Sequence, residues 1–175
     1  MIEIVAYRPE HARAFYDINA AWIEEMFALE PLDRAILEGH EEHILRPGGH
    51  IVIAELNGSP VGTGALKRTG PDSYEVTKMG VSPEARGHQV GARLLQALLR
   101  WAAENDAKQV YLLTNHKCEA AIHLYEKFGF VHDAEVLSSH GPEYSRCDVA
   151  MSYPASALPK RDTSPTGVGT QSVEP

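Results

Sequence analysis

The segment that most constrains this chain is a strand, a glycine loop and a helix in direct succession. Tyr74-Glu-Val-Thr-Lys-Met-Gly-Val81 is a β-favouring run that ends at Ser82-Pro83, where proline cannot continue a strand ladder. Arg86-Gly87-His88-Gln89-Val90-Gly91-Ala92 comes next. Apolar residues at Val90, Leu94, Leu95, Leu98, Trp101 and Ala102 then fall on one face of a 3.6-residue period. A loop that runs into a helix N-terminus presents unpaired backbone N–H groups at the positive end of the helix dipole, which favours phosphate or pyrophosphate. Gly87 and Gly91 let the backbone approach such a ligand with no Cβ in the way, and Arg86, Arg93 or His88 would add charge. A connection that binds nothing has the same local pattern. Two other phosphate loops are excluded, because there is no Gly-Lys-Ser/Thr and the spacing is not Gly-x-Gly-x-x-Gly.

Arg86-Gly-His-Gln-Val-Gly91-Ala92 resembles the Arg/Gln-x-x-Gly-x-Gly/Ala signature of the GNAT family, the Gcn5-related N-acetyltransferases. In that family the loop cradles the pyrophosphate of acetyl-coenzyme A. The family's middle glycine is Gln89 here, a change that keeps the backbone N–H. A second block, Asn115-His-Lys-Cys-Glu-Ala-Ala-Ile-His-Leu-Tyr125-Glu-Lys-Phe-Gly129-Phe130, is similar to the family's Asn-x-x-Ala-x-x-Leu-Tyr-x-x-x-Gly-Phe segment. Cys118 stands where asparagine is usual and Asn115 lies earlier, so either is a candidate for holding the pantetheine arm. The resemblance covers about Ile2 to Tyr153. It implies an α/β (α+β) GNAT fold: a mixed, mostly antiparallel sheet of about seven strands flanked by about four helices, with acetyl-coenzyme A at the splayed central strands.

Composition sets outer bounds. A length of 175 residues suffices for one domain with a real core. The net charge of −8 argues against nucleic acid or an anionic membrane as partner. Two cysteines, Cys118 and Cys147, give no disulfide framework. No basic segment followed by an apolar run opens the chain and no stretch is apolar enough to span a bilayer, so the expected compartment is the cytoplasm. The resemblance also allows a homodimer, for which no residue pattern supplies an interface.

Taken in order, Ile2–Tyr7 reads as a strand and Arg8-Pro9-Glu10 as the start of a helix to about Phe27. Leu32 to Leu45 reads as a second helix. His50–Leu56 and Val61–Leu66 form a hairpin across Asn57-Gly58. Val110–Leu113 is continuously apolar, as a strand buried on both faces would be. A helix from about Lys117 to Phe128 is capped by Gly129. Phe130–Leu137 and Tyr144–Tyr153 read as two further strands. From Pro154 to Pro175 prolines, glycines and Ser/Thr replace apolar periodicity, which predicts a disordered tail after a 1–153 domain.

Acetylating an amine requires its deprotonation, a polarised thioester carbonyl and a stabilised leaving thiolate. Glu75 is the candidate base. On strand parity it shares a face with Thr77, Met79 and Val81, unless a bulge near Gly80 breaks the alternation. Tyr125 is the candidate acid, since a phenol can donate to a departing thiolate. The resemblance puts a Glu and a Tyr at matching places in several family members. It also implies that Met79 N–H polarises the acetyl carbonyl and that Val81 holds pantetheine, with Gly80 between them in the cofactor site. The acceptor pocket is expected between the first two helices and the loop before the last strand, where Trp22, Glu25, Phe27, Glu30, Tyr144 and Arg146 have binding potential. Glu25 and Glu30 would suit a cationic acceptor and Arg146 a carboxylate. His40-Glu-Glu-His43 lacks the His-Glu-x-x-His spacing and a third ligand, so no metal is expected. The function these residues imply is N-acetyl transfer from acetyl-coenzyme A to a small primary amine, such as an amino acid, a polyamine or an amine-bearing antibiotic. Alternatives are a peptide acetyltransferase acting on Lys or an N-terminus, and an acyl-coenzyme A sensor without turnover.

Overall fold

A computed structural model describes residues 1–159. One seven-stranded sheet organises the chain, in the order β1-β2-β3-β4-β5-β7-β6. The strands are β1 Ile2–Ala6, β2 His50–Leu56, β3 Ser59–Gly70, β4 Ser73–Val81, β5 Gln109–Thr114, β6 Val131–His132 and β7 Val149–Tyr153. All neighbours are antiparallel except β4 and β5. The helices are α1 Ala12–Met26, α2 Pro31–Glu38, α3 Val90–Glu104, α4 Glu119–Phe128 and α5 Ala134–His140, and a π-helical turn spans Glu41–Leu45. The architecture is the expected one, with more helix than the four segments anticipated.

The alternation of side chains along β2 shows how the layers are divided. Ile51 and Ile53 pack with Phe15, Ile36 and Leu37 of α1 and α2. Val52 and Ala54 join Leu94, Leu95 and Leu98 of α3 on the other face. Burying a strand on both faces is what an unbroken apolar run such as Ile51–Ala54 requires. α5 covers the end of the first face, where Val136 packs with Tyr111 and Ala150.

Several boundaries differ from the sequence reading. The second helix stops at Glu38 because Gly39 ends it, and the π-helical turn follows. Phe130–Leu137 is not a strand beyond Val131–His132. Asp133 accepts hydrogen bonds from Glu135 N and Val136 N, both 3.1 Å, and so starts α5. Tyr144–Asp148 is a loop, and only Val149–Tyr153 pairs as β7. Strand parity also breaks in β4. Lys78 sits at φ +52, and the β3 register shifts between Thr63 and Ala65, which marks a bulge. Glu75 therefore shares its face with Thr77 and the Lys78 side chain, while Met79 and Val81 turn to the α3 face. After β7, Ala155–Ala157 forms a 3-10 turn whose Ala157 carbonyl accepts from Tyr153 Oη. The remainder of the expected tail, 160–175, lies outside the described residues.

Candidate active site

The sheet opens where the chemistry is expected. β4 and β5 pair in parallel from Ser73–Gln109 to Val76–Leu112, and their ladder ends there. Beyond Val76 the β4 N–H groups on that side pair with no strand among the described residues, although β5 runs on to Thr114. A cavity of about 290 Å³ fills the opening. Glu75, Met79, Asn115, Cys118 and Tyr125 line it, and so do Trp22, Phe27, Tyr144 and Arg146. Nine of the residues singled out in the sequence thus meet at one place.

Glu75 lies in the sheet between Lys67 of β3 and Tyr111 of β5 and is 3% exposed. Burial pushes its carboxyl up to about 7; Lys67 opposes this, Glu143 adds to it and Lys78 opposes it. A carboxyl titrating there exchanges protons near neutral pH. Tyr125 is buried on α4. Burial, followed by the Cys118 sulfur, raises its phenol above the ordinary value, so the phenol stays protonated. Asn115 is held by the backbone: its Nδ2 donates to Arg146 O at 2.6 Å and its Oδ1 accepts from Lys117 N at 2.9 Å. Cys118 is the residue before α4 and is partly exposed.

The wall farther from α4 is held by charge. Asp33, fully buried in the first turn of α2, accepts from Lys78 Nζ at 2.9 Å and from Arg146 Nη1 and Nη2 at 2.5 and 2.8 Å. Burial would raise the Asp33 carboxyl, but the Arg146 and Lys78 bonds outweigh it and hold the group at about 2. Glu30 accepts from Arg146 Nη1 at 3.0 Å and from Ser145 N and Oγ at 2.8 and 2.9 Å. Glu30 and Arg146 therefore bind each other. Glu25 lies outside the cavity, exposed, 3.3 Å from Arg86. Trp22 is fixed by a buried chain: its Nε1 donates to Asn19 Oδ1, Asn19 Nδ2 donates to Thr63 Oγ1, and Thr63 Oγ1 donates to the carbonyl of Lys78 at the bulge.

A second cavity, about 460 Å³, lies against the start of α3. Gln89 precedes the helix in left-handed backbone at φ +57, and no side chain caps its N–H groups. Gly87 is at φ +84, with open space where a Cβ would stand. Arg86, Gly87, Gln89, Val90, Gly91 and Ala92 line this cavity together with Lys127 of α4. His88 is exposed beside it.

The model of the acetyltransferase (GNAT) family matches residues 10–130. The chain belongs to this family. N-alpha-acetyltransferase RimI of Mycobacterium tuberculosis is 38% identical over 87 residues, which are 48% of this chain and 53% of RimI, about half its length. The fold also matches solved structures. A GNAT-family acetyltransferase from Staphylococcus aureus Mu50 superposes with a TM-score of 0.79 at 22% identity, covering 87% of this chain and 98% of that one. PaiA N-acetyltransferase from Thermoplasma acidophilum, solved with coenzyme A, gives 0.69 at 16% identity, covering 88% and 99%.

Coenzyme A, with which the PaiA neighbour was solved, is the group to test against this site. Its residues fit that group. Uncapped N–H donors at the α3 N-terminus beside Arg86 and Lys127 suit a pyrophosphate. The unpaired stretch of β4 suits an extended, amide-bearing arm. The sequence reading missed Asp33, Lys78, Asn19 and Thr63. Pro31 followed by Asp33 was a legible capping pattern, and the Asp33 carboxylate does accept from Glu30 N. Nothing local showed that the same carboxylate would also meet Lys78 and Arg146.

Proposed function

We propose that this acetyltransferase transfers acetyl to a small primary amine, with Glu75 as base and Tyr125 as acid. The observation that carries the proposal is Glu75, a buried carboxyl titrating at about 7 in the wall of the cavity that also holds Tyr125. The acyl donor supplies an activated thioester. The chain's own part is to place the amine, take its proton at the Glu75 carboxylate and keep a proton ready at Tyr125 Oη. Met79 N–H, on the unpaired side of β4, would donate to the acetyl oxygen. The α3 loop from Arg86 to Ala92 would hold the pyrophosphate, and Asn115 and Cys118 would flank the arm. Arg146 lines the cavity and Glu30, which does not, holds it there; Trp22, Phe27 and Tyr144 contact the acceptor.

A second reading, acetylation of a peptide N-terminus, is favoured by the RimI match. One assay separates the two. Release of coenzyme A thiol is followed against amino acids, polyamines, aminoglycosides and peptides, with Glu75→Gln and Tyr125→Phe alongside. Turnover on small amines that collapses in both variants supports the proposal, and turnover on peptides alone supports the second reading. Turnover untouched by either substitution removes Glu75 and Tyr125 from the chemistry.

A further inference from the structure

Charge at the acceptor end of the cavity cancels within the protein. Lys78 and Arg146 are the cations there; Asp33 and Glu30 are the anions. Asp33 takes both cations, and Glu30 takes Arg146 and Ser145. The Arg146 guanidinium is also covered on its faces, with Cζ 4.8 Å from the Tyr144 ring centre and 6.0 Å from that of Phe27. The apolar surface left for an acceptor is Trp22, Met26, Phe27 and the ring of Tyr144, with Thr77, Thr114, Asn115 and Cys147 among the uncharged polar side chains of the same cavity. Met26, 43% exposed, extends this surface to solvent. Glu75 enters none of the four pairs, and Lys117 and Glu119 stand at the opposite side, at the start of α4.

Resting on the proposed function, we infer that the acceptor is a primary amine with an apolar, uncharged body, carrying neither a carboxylate nor a second ammonium group. An entering carboxylate would meet a cation already neutralised by two carboxylates, and any bond it took from Asp33 would be lost to a fully buried anion. A second ammonium would have to draw Glu30 or Asp33 from Arg146, with the same penalty. An apolar body disturbs no pair and covers Trp22 and Phe27. The amine nitrogen then lies against Glu75, the one carboxyl of the wall whose burial suits it to accept a proton rather than to hold a salt bridge. Arg146, which the sequence offered as a carboxylate anchor, is thus a specificity residue of the opposite sense: its bonds to Asp33 and Glu30 already neutralise it.

The test uses amines that differ only in one charge. Phenethylamine is compared with phenylalanine, tyramine with tyrosine, and hexylamine with 1,6-diaminohexane, by kcat/KM for coenzyme A thiol release. The uncharged-body member of each pair is expected to be better by about 10²–10⁴-fold, the scale of breaking one buried pair. Binding is read separately from Trp22 fluorescence in a Trp101→Phe background, since Trp101 stacks on His50 outside the cavity. If nothing turns over but the fluorescence ranking holds, the roles of Glu75 and Tyr125 fail while this inference stands. Equal or reversed ranking in binding, or no binding by any of the six amines, overturns it.

Discussion

Replacing Asp33 by Asn removes one charge and almost no volume, which makes it a clean probe of the wall. In the folded protein the carboxylate is fully buried and receives three bonds from two cations. Lys78 is buried as well, so the substitution leaves an ammonium without a counter-charge and with only the 3.5 Å bond to Tyr144 Oη. Breaking a buried pair from one side costs ~3–5 kcal/mol. With a urea slope of about 2 kcal/mol per molar, the unfolding midpoint should fall by ~2 M. Acid titration gives a second, independent magnitude. Asp33 is held at about 2 against an ordinary 3.8, so the folded state binds fewer protons than the unfolded state between those values. Its stabilisation is complete above pH 3.8 and is lost as pH falls through 2, ~2 kcal/mol in all. Asp33→Asn should lack that part of the acid transition. The double variant Asp33→Asn/Lys78→Met should recover part of the loss, because the stranded ammonium is gone. A midpoint at pH 7 within 0.5 M of the parent, by the same slope ~1 kcal/mol, would refute the reasoning.

Glu75→Gln should reduce kcat by about 10²–10⁴-fold, and the parent kcat/KM should rise with pH through about 7 as the base ionises. The same substitution should stabilise the fold at pH 8 by ~3 kcal/mol. The folded pKa lies above the ordinary 4.5, so the cost of ionising the buried group begins near pH 4.5 and is complete above 7; equal denaturant midpoints at pH 8 would contradict this. Tyr125→Phe should slow turnover while coenzyme A affinity, by calorimetry, stays within about threefold, since a hydrogen bond formed only as the thiolate leaves contributes to kcat alone. Thr63→Val should cost ~1–3 kcal/mol and lower kcat more than it raises KM, because the hydroxyl holds both Asn19 and the Lys78 carbonyl at the bulge. Thr63→Ser should restore the kcat.

Features written in short-range chemistry were readable in the sequence. Glycines, a proline stop and one apolar stripe placed the α3 loop, and Asn57-Gly58 placed the β2–β3 hairpin. Tyr125 and the Asn115–Cys118 stretch came from a motif whose spacing is helical. What escaped was long-range or conformational. Lys78 adopts φ +52 without being glycine or asparagine, so no residue type announced the bulge that turns Met79 away from Glu75. The Asp133 cap was present in the sequence, but β-favouring Val131 and Val136 on either side of it made a strand the easier reading. Glu30 and Arg146 looked available because their mutual contact spans most of the chain.

The Arg146–Asp33 bond also bears on how acceptor preference can be changed. The elements proposed to hold the cofactor, β4, the α3 loop and α4, are separate from those proposed to wall the acceptor, the α1–α2 corner and the loop before β7. That separation suggests exchangeable parts, yet the two wall segments meet at a buried ion cluster across 113 residues of sequence. A graft of either one alone would bring a cation without its anion, or the reverse. New acceptor pockets on this scaffold should therefore be built by transplanting both segments together, with Lys78 matched to whatever replaces Asp33.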